Sequence, residues 1–419
     1  AARRIRIRRY IYWTTTPILV MLPSHTRQEQ IPIMIDTTDW LVFVLVIGAR
    51  FIIPLFIPFF PLPAIIAALL LDGVDQTIFQ KFTNFPLDGY QSYDKALDIY
   101  YLSIAYISTF RNWTNNFAFR VSRFLYYFRL VGVVLFETTH LRPLLLIFPN
   151  TFEYFFIWYE AVKLMWNPRK LSRTAVISAA AFIWIVIKLP QEYWIHIAQN
   201  DVTETIQVLL GGAPGDPWLP LITANLLLIL VVLVVLGLAL FGLIRFARKN
   251  TPPAEHAIGW RADDNTVIPT ADEFTRARRN LYRRVFDVDL LEKIVLVAMI
   301  IYIFATMLPG VSVPGQTLVF YIAVLVTATT AISHYLGRRG TTIASGIRHF
   351  LIVFAVNTAL IYLMFALLGR SANWVNVVLF QLLLGVIVTL FDRFQPYHEA
   401  RFPRGGEEED PQISQITQI

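Results

Sequence analysis

Five ionisable residues stand inside stretches of sequence that are otherwise apolar: Arg50, Arg129, Glu137, Glu153 and Glu160. A charged side chain in membrane hydrocarbon is costly, so such residues usually face the interior of a helical bundle and pair with one another. Glu153 and Glu160 are seven residues apart, which places them on one face of a helix. We therefore predict a buried ion network in which Arg50 or Arg129 pairs with Glu153 or Glu160. The alternative hypothesis is a path for protons or for a transported substrate.

A second group consists of the aspartates that follow the first apolar stretch: Asp72, Asp75, Asp88, Asp94 and Asp98. Residues 72–95 are predicted to form a loop on the outer side of a membrane, in which solvated aspartates cap the ends of helices. Oxygen ligands also suit Ca²⁺. Asp72, Asp75, Asp94 and Asp98 are therefore candidates for a weak metal site.

The spacing of these aspartates resembles, in part, the carboxylate motif of CDP-alcohol phosphotransferases. The matching stretches are Asp72-Gly73 and Gly89-x4-Asp94-x3-Asp98. In that family the carboxylates hold a divalent metal ion against a pyrophosphate, so the resemblance implies a lipid-modifying enzyme. The Ala-Arg pair expected just after the first Asp-Gly is absent, and the spacing before the second pair differs. The family also works on the cytoplasmic face, whereas these residues are predicted outside, so the chain is not assigned to it.

Two apolar stretches contain breaks. Four prolines within ten residues, at positions 54, 58, 61 and 63, cannot continue a regular helix in the first stretch. In the fourth stretch Pro149 precedes Asn150, and Glu153 follows three residues later, a spacing typical of a capping box. Helices that begin below the membrane surface hold anionic groups in many transporters. The plainer interpretation is that the fourth span simply begins at Asn150.

Metal and cofactor motifs are otherwise scarce. The chain contains no cysteine, which excludes disulfides and thiolate metal sites. His334 and His349 flank a predicted inner turn and could share a ligand only if two spans bring them together. No Gly-rich phosphate loop or H-E-x-x-H motif occurs. We predict no cofactor, and we expect structural lipids.

The elements that must position these residues are apolar stretches long enough to cross a bilayer. The chain has 419 residues, of which 56% are hydrophobic and 16% charged, and its mean hydropathy is +0.54. Ten stretches alternate with gaps that are rich and poor in Lys and Arg. Counted from a cytoplasmic N-terminus, the gaps predicted inside hold 29 of these residues and those predicted outside hold 5. This bias follows the positive-inside rule for helical membrane proteins.

We therefore predict an all-α polytopic integral membrane protein with both termini cytoplasmic and about ten transmembrane helices, with eight as the alternative. The predicted spans lie near residues 40–71, 96–110, 124–137, 144–166, 174–188, 218–243, 289–308, 317–335, 348–368 and 374–391. The predicted regions are a basic arm (1–39), an aromatic, charge-containing membrane half (40–217), an aliphatic membrane half (218–391) and a cytoplasmic tail (392–419). Within the aliphatic half, residues 272–284 are predicted to form a surface helix.

The sequence favours a non-enzymatic membrane subunit or scaffold that packs against membrane lipids, other integral membrane proteins or a second copy. One alternative is a secondary transporter that uses the broken spans 1 and 4. The other is a lipid-modifying enzyme that uses the outer aspartates. The net charge of +7 is explained by topology and anionic headgroups, so nucleic acid is not an expected partner. The expected location is a bacterial cytoplasmic membrane.

Overall fold

The computed structural model describes residues 36–84, 87–199, 202–254, 256–264, 266, 268–283, 288–307, 315–337, 343–369 and 373–403. Within them the α-helices are α1 (Thr37–Ile52), α2 (Pro61–Phe82), α3 (Leu87–Asn112), α4 (Asn116–Thr139), α5 (Pro143–Ile147), α6 (Thr151–Met165), α7 (Arg173–Phe182), α8 (Leu189–Glu192), α9 (Val202–Leu209), α10 (Trp218–Ala224), α11 (Leu226–Asn250), α12 (Ala271–Arg283), α13 (Val288–Met307), α14 (Gly315–Gly337), α15 (Ile343–Leu367) and α16 (Trp374–Arg401). Short 3₁₀ segments cover Ile53–Phe56, Pro168–Lys170 and Ala262–Asp264, and π-helical segments cover Ile183–Lys188 and Tyr193–Ile197.

The fold is helical, as predicted, and the described residues form no β-strand beyond an isolated bridge between Trp166 and Pro253. Six described segments are long and apolar enough to cross a membrane: Thr37–Phe56, Pro61–Phe79, Arg173–Ile197, Leu226–Lys249, Gly346–Leu367 and Trp374–Arg401. These segments are compatible with a membrane protein. The predicted count of about ten spans and the cytoplasmic termini stay predictions.

The core of the bundle is built around α3 and α16, which pack extensively against each other. The two helices run parallel, because Tyr93 near the start of α3 donates to Asn376 near the start of α16, and Arg401 at the end of α16 donates to the carbonyl of Phe110. Most residues of α3 from Ala96 onward are buried, including polar ones such as Ser103. A helix that is buried nearly all round can carry polar groups only where neighbouring helices satisfy them.

The first predicted span is wrong as a single crossing, because α1 and α2 form an antiparallel hairpin. Near one end, the backbone N–H of Asn84 after α2 donates to Asp39 in α1 at 3.0 Å. Farther along, Arg50 near the end of α1 contacts Asp75 in the middle of α2. The four prolines cause the reversal, since each lacks an N–H and two of them open α2.

The hairpin affects the predicted topology. It places Asp36 at the same end of the bundle as Asn84, which lies in the segment predicted outside. If α1 and α2 both cross the membrane, a cytoplasmic arm at 1–39 and an outer segment at 72–95 are incompatible. Residues 1–35 of the arm lie outside the described residues.

Three further predictions need correction. Residues 72–95 are not a loop, because α2 continues to Phe82 and α3 begins at Leu87. The fifth span does not end at Lys188 but continues as helix to Ile197. The tail does not begin at 392, since α16 extends to Arg401 and buries Phe394. In each case charged residues at a helix end were interpreted as a loop.

The second half of the chain is close to the prediction. Helices α13 to α16 cover the last four predicted spans. The predicted surface helix is α12, which packs on α16 through Phe274 and Tyr397 with ring centroids 4.6 Å apart. Its first turn is stabilised because the backbone N–H and hydroxyl of Thr270 donate to Glu273, which lowers the pKa of that carboxyl.

Helix α11 differs from the other long helices because none of the residues in its most apolar window is buried. It joins α10, and Ala247 near its end touches the main core. Its 25 residues span about 37 Å at 1.5 Å per residue, enough to cross the hydrocarbon. The helix therefore presents apolar side chains on all sides to whatever surrounds the bundle.

The hairpin predicts which sites share a face of the membrane. The chain has no cysteine, so single cysteines report topology without background. If both helices cross, Thr37→Cys and Lys81→Cys should react with an impermeant maleimide from one side, and Lys170→Cys only from the other. Labelling of Thr37→Cys and Lys81→Cys from opposite sides would contradict two full crossings.

Candidate functional site

Five charged side chains from three helices converge in the first half of the bundle. Arg50 of α1 contacts two aspartates of α2 and two of α3: Asp72, Asp75, Asp94 and Asp98. We call this set the aspartate centre. Arg50 and Asp75 are almost fully buried, whereas the side chains of Asp72, Asp94 and Asp98 are 26%, 35% and 36% exposed. The centre is therefore closed at its arginine and open at three of its carboxylates.

Asp98 of the aspartate centre lies far from both ends of its helix. Asp98 is eleven residues from the start of α3 and fourteen from its end, or about 16 and 21 Å. Arg50 is likewise eleven residues from Asp39, which contacts the end of α2. If α3 crosses a membrane, ionisable residues at such depth are functional candidates by default, because insertion is costly unless they are paired or hydrated.

Three of the carboxylates are spaced as ligands of one cation. One oxygen from each of Asp72, Asp75 and Asp94 lies within 4.8 Å of the others. Ligand oxygens around one Mg²⁺ or Ca²⁺ ion are separated by about 3 to 5 Å, given metal–oxygen distances of about 2.0–2.6 Å. The predicted grouping of these aspartates thus has a geometric basis, although they lie on helices and not in a loop. The side chain of Asp88 lies outside the described residues.

Charge balance distinguishes this centre from an ordinary salt bridge. Four carboxylates face a single guanidinium, so the centre carries an excess of three negative charges when all are ionised. Buried charges that lack a counterion are strongly destabilising. The arrangement therefore favours uptake of a cation or of protons.

A second group of ionisable residues surrounds Glu153, in the first turn of α6. Glu153 accepts a hydrogen bond from the hydroxyl of Tyr101 and one from the side-chain amide of Asn150 at 3.1 Å. Lys188 lies 3.4 Å from the same carboxylate and 3.7 Å from the centroid of the Tyr154 ring. Tyr101 is one turn from Asp98 on α3, so this group adjoins the aspartate centre.

The predicted break in the fourth span is present between α5 and α6. Asn150 occupies the N-cap position, but its side chain makes no capping bond and donates to Glu153 instead, so the predicted capping box does not form. The free backbone groups at the break bond to other helices: the carbonyl of Phe148 accepts from Arg129 at 3.0 Å, and the N–H of Asn150 donates to Glu192 at 3.0 Å. At the break before α6, side chains of α4 and α8 thus satisfy these backbone groups.

Gly132 of α4 allows the chain at this break to pack closely against α4. A Cβ atom at Gly132 would lie 2.2 Å from the Cβ of Phe148. Only glycine lets the chain at the break approach α4 this closely. The contact helps hold the Phe148 carbonyl within reach of Arg129.

The predicted pairing of the buried charges is wrong in its partners. Arg50 pairs with the aspartates, and Arg129 lies 4.0 Å from Glu192. Glu153 pairs with Lys188. Glu160 pairs with Lys163 at 3.0 Å and accepts from the indole of Trp113 at 2.7 Å. Spans one and three were expected to pair with span four, but the hairpin turns Arg50 toward α2 and α3.

Glu137 is only half-buried, near the end of α4, and its charged neighbours are Lys95 and His140. It does not join the groups around Arg50, Glu153 or Glu160 that the structure describes. Its place near a helix end explains the difference, since a terminal carboxylate can reach water without a buried partner.

Sequence reasoning missed several ionisable residues that contact one another in the structure. Lys188, Glu192 and His196 were assigned to a span end and an outer loop, yet Glu192 lies 2.9 Å from His196 and Lys188 holds Glu153. Their spacing of four residues was the available signal, because it places all three on one helical face. The π-helical segments that carry Lys188 and His196 are often found at functional sites.

A further missed group joins α13, α15 and α16. Lys293 lies 2.6 Å from Asp392, and His349 lies 3.6 Å from the same carboxylate. The side chain of His334 lies outside the described residues, so the alternative in which His349 and His334 share a ligand stays open. Asp392 was assigned to the tail, which hid its role as a core residue.

Comparison of the chain with protein-family models, with curated proteins and with solved structures finds no match. Arguments about function therefore rest on the geometry of this chain.

Removal of Arg50 should destabilise the protein strongly. Arg50→Met leaves four carboxylates without their cation, and loss of one partner of a buried ion pair costs about 3–5 kcal/mol. Adding Asp75→Asn should restore part of the loss, because it removes the most buried carboxylate. Chemical denaturation in detergent measures the effect, with Arg245→Met on the exposed surface of α11 as control. Equal stability of Arg50→Met and Arg245→Met would refute this account.

Proposed function

We propose that the chain is an integral membrane protein that binds a divalent cation at the aspartate centre and uses it to hold a phosphate-bearing membrane substrate. The observation that carries the proposal is the convergence of Asp72, Asp75 and Asp94 from two adjacent helices, with ligand atoms within 4.8 Å. Mg²⁺ in proteins is commonly held by one or two carboxylates together with substrate phosphates.

The exposure pattern supports a role in binding a substrate. Asp75 is buried and would anchor the ion, while Asp72, Asp94 and Asp98 reach the surface and leave room for further ligands. A bound ion that keeps open positions can polarise a phosphoryl oxygen or orient a leaving group.

Among the alternatives from the sequence, this proposal develops the lipid-modifying enzyme. The transporter hypothesis relied on two broken spans. The break in the first of these spans is the turn of the α1–α2 hairpin. The break in the fourth remains, but its free backbone groups and Glu153 are occupied by partners from other helices. The geometry therefore favours a binding centre over a path through the bundle.

Metal binding tests the proposal directly. Mn²⁺ serves as a probe because its binding to the purified protein can be followed by electron paramagnetic resonance. Asp75→Asn and Asp94→Asn should each weaken Mn²⁺ binding by about tenfold or more, because each removes a charged oxygen ligand. The matched control is Asp272→Asn on the exposed side of α12, which should leave binding unchanged. Equal Mn²⁺ affinity in wild type and Asp75→Asn would overturn the proposal.

A second candidate function is that of a membrane subunit, and the exposed helix α11 favours it. A long apolar helix that its own bundle does not pack against is suited to contact with lipid or with another membrane protein. Association in membranes depends on close packing and is favoured by small residues such as Gly237 and Gly242, both open to the outside. These two residues do not share a face at a spacing of five.

The mass of the protein in lipid nanodiscs or mild detergent tests this second candidate. A subunit should copurify as a complex or as an oligomer, and Gly237→Leu should shift it toward the monomer without lowering its stability. The matched variant Gly48→Leu lies on α1, where added atoms also meet open space, and it should not change the mass. A monodisperse wild-type monomer would contradict the subunit hypothesis.

A further inference from the structure

The segment that follows α11 crosses one end of the bundle and is fixed there at several points. The N–H of Asn167, just after α6, donates to the carbonyl of Pro252 at 3.1 Å. The N–H of Ala262 donates to the carbonyl of Phe59, in the turn of the hairpin, at 2.8 Å. The hydroxyl of Thr266 then donates to the end of α3 at 3.1 Å. These bonds hold the segment at the level where the helices of the bundle finish.

A compact turn within this segment presents two large apolar side chains. A Cβ atom at Gly259 would lie 2.5 Å from the Cβ of Asp264, so a larger residue would clash where the turn closes. The N–H of Asp264 also donates to the carbonyl of Arg261 at 3.2 Å. Ile258 and Trp260 flank the glycine, and they are 68% and 56% exposed. The turn therefore directs both side chains toward whatever surrounds the bundle.

These apolar side chains adjoin the exposed apolar surface of the hairpin. Phe59, which accepts the bond from Ala262, is 43% exposed, and Phe60 beside it is 38% exposed. On α1, which leads into the turn of the hairpin, Val44 and Leu45 are also exposed. If α1 crosses a membrane, as its length and composition allow, these side chains face lipid. The compact turn thus lies beside the surface that lipid would cover.

Basic residues surround the same end of the bundle. They are exposed at the end of α11, in the compact turn, and between α6 and α7: Arg245, Arg248, Lys249, Arg261, Arg169, Lys170 and Arg173. The compact turn itself carries two acids, Asp264 and Asp263, of which the second pairs with Arg111. The helix α12, which follows, carries both signs of charge. An excess of positive charge beside exposed apolar side chains complements the surface of an anionic bilayer.

We propose that Ile258, Trp260 and Arg261 dock on the anionic headgroups and upper acyl chains of the bilayer around the bundle. We call these three residues the lipid anchor. Tryptophan is favoured at this depth because its ring is apolar and its N–H is polar. Arg261 is the next residue, and a guanidinium group matches the phosphate oxygens of a headgroup. The lipid anchor holds the segment across the end of the bundle and against the membrane.

The level of the segment favours lipid over a soluble protein as the occupant. The apolar candidate span on α11 ends at Lys249, and basic residues at the end of a span lie near the headgroups. The segment begins directly afterwards, and its bonds to Asn167 and Phe59 keep it from projecting beyond the helix ends. This inference rests on insertion of the chain in a membrane, and it does not depend on a cation at the aspartate centre.

Spin labels test the lipid anchor in the full chain, which has no cysteine of its own. Ala257→Cys is exposed, and its label leaves the lipid anchor intact. In phosphatidylglycerol nanodiscs, electron paramagnetic resonance with oxygen and a water-soluble nickel chelate should place this label about 5–10 Å below the bilayer surface. The matched label on Ala271→Cys, exposed at the polar start of α12, should contact water. Equal accessibility of the two labels to the nickel chelate would overturn the proposal.

Substitution beside the label tests the anchor residues themselves. Ile258→Ser combined with Trp260→Ser should raise the nickel accessibility of the label on Ala257→Cys to that of a label in water. Both side chains are exposed, so the unfolding midpoint in detergent should match that of the wild type. The control is Leu219→Ser, which is 74% exposed and lies before the opposite end of α11, and it should leave the label in lipid. An unchanged label depth in the double-serine variant would contradict the assignment.

The lipid composition identifies the chemistry of the occupant. The label on Ala257→Cys should lie deeper in phosphatidylglycerol than in phosphatidylcholine nanodiscs, and Arg261→Gln should remove that difference, because the charge attracts anionic headgroups. Equal depth in the two lipids would overturn the assignment to anionic headgroups. A label shielded from both oxygen and the nickel chelate is covered by protein, and that result would overturn lipid as the occupant.

A reference label on α11 separates this proposal from membrane insertion. Leu233→Cys is exposed in the middle of the candidate span, and its label should be accessible to oxygen and not to the nickel chelate. Water at Leu233→Cys would refute insertion, and the lipid anchor with it. Lipid at Leu233→Cys together with water at Ala257→Cys would refute the lipid anchor alone.

Discussion

The structure depends on one constraint: a charge buried inside an apolar helical bundle needs a counterion, often on another helix. Arg50 of α1 satisfies it with aspartates of α2 and α3, Lys188 with Glu153 of α6, and Lys293 with Asp392 of α16. Because an unpaired charge at depth is far more costly than a misplaced apolar side chain, each pair fixes the register of two helices. Helix α3 takes part in several contacts of this kind, through Asp94 and Asp98 in its first half and Arg111 at its end.

The helical class could be predicted because it rests on composition, which does not depend on tertiary contacts. Stretches such as Leu226–Asn250 carry no ambiguity, since they are apolar over a length that spans a bilayer. Ends of helices were harder to predict. The helices that contain Asp72, Glu192 and Asp392 continue past the positions where they were expected to stop. A counterion on another helix offsets the cost of burying each carboxylate. Without knowledge of that counterion, a loop was the better interpretation. The partner is invisible in the local sequence.

The candidate site was predictable in its members but not in its arrangement. The aspartates from 72 to 98 were grouped because they are close in sequence, and the structure brings four of them together. Arg50 was assigned to a different network, because a broken span that crosses only once places it away from Asp72. Only the reversal at the prolines brings Arg50 beside Asp75, and a proline cluster in itself signals a break without its direction. The aspartates of the site could therefore be predicted, but their contact with Arg50 could not, because it depends on the geometry of the turn.

The two polar sites on α3 illustrate how one helix can serve opposite chemistry. Near its middle the helix faces carboxylates, and its own aspartates add to an excess of negative charge. At its end the carbonyl of Phe110 accepts a hydrogen bond from Arg401, and the negative end of the helix dipole favours a cation there. Between them lie Tyr100, Ser103 and Tyr106, whose hydroxyls bond within the protein to Phe51, Ile99 and Glu292. This segment carries neutral side chains whose hydroxyls are hydrogen-bonded. It therefore separates the two charged regions of the same rigid helix. Because the helix is rigid, it fixes the distance between the aspartates in its first half and Arg111 at its end.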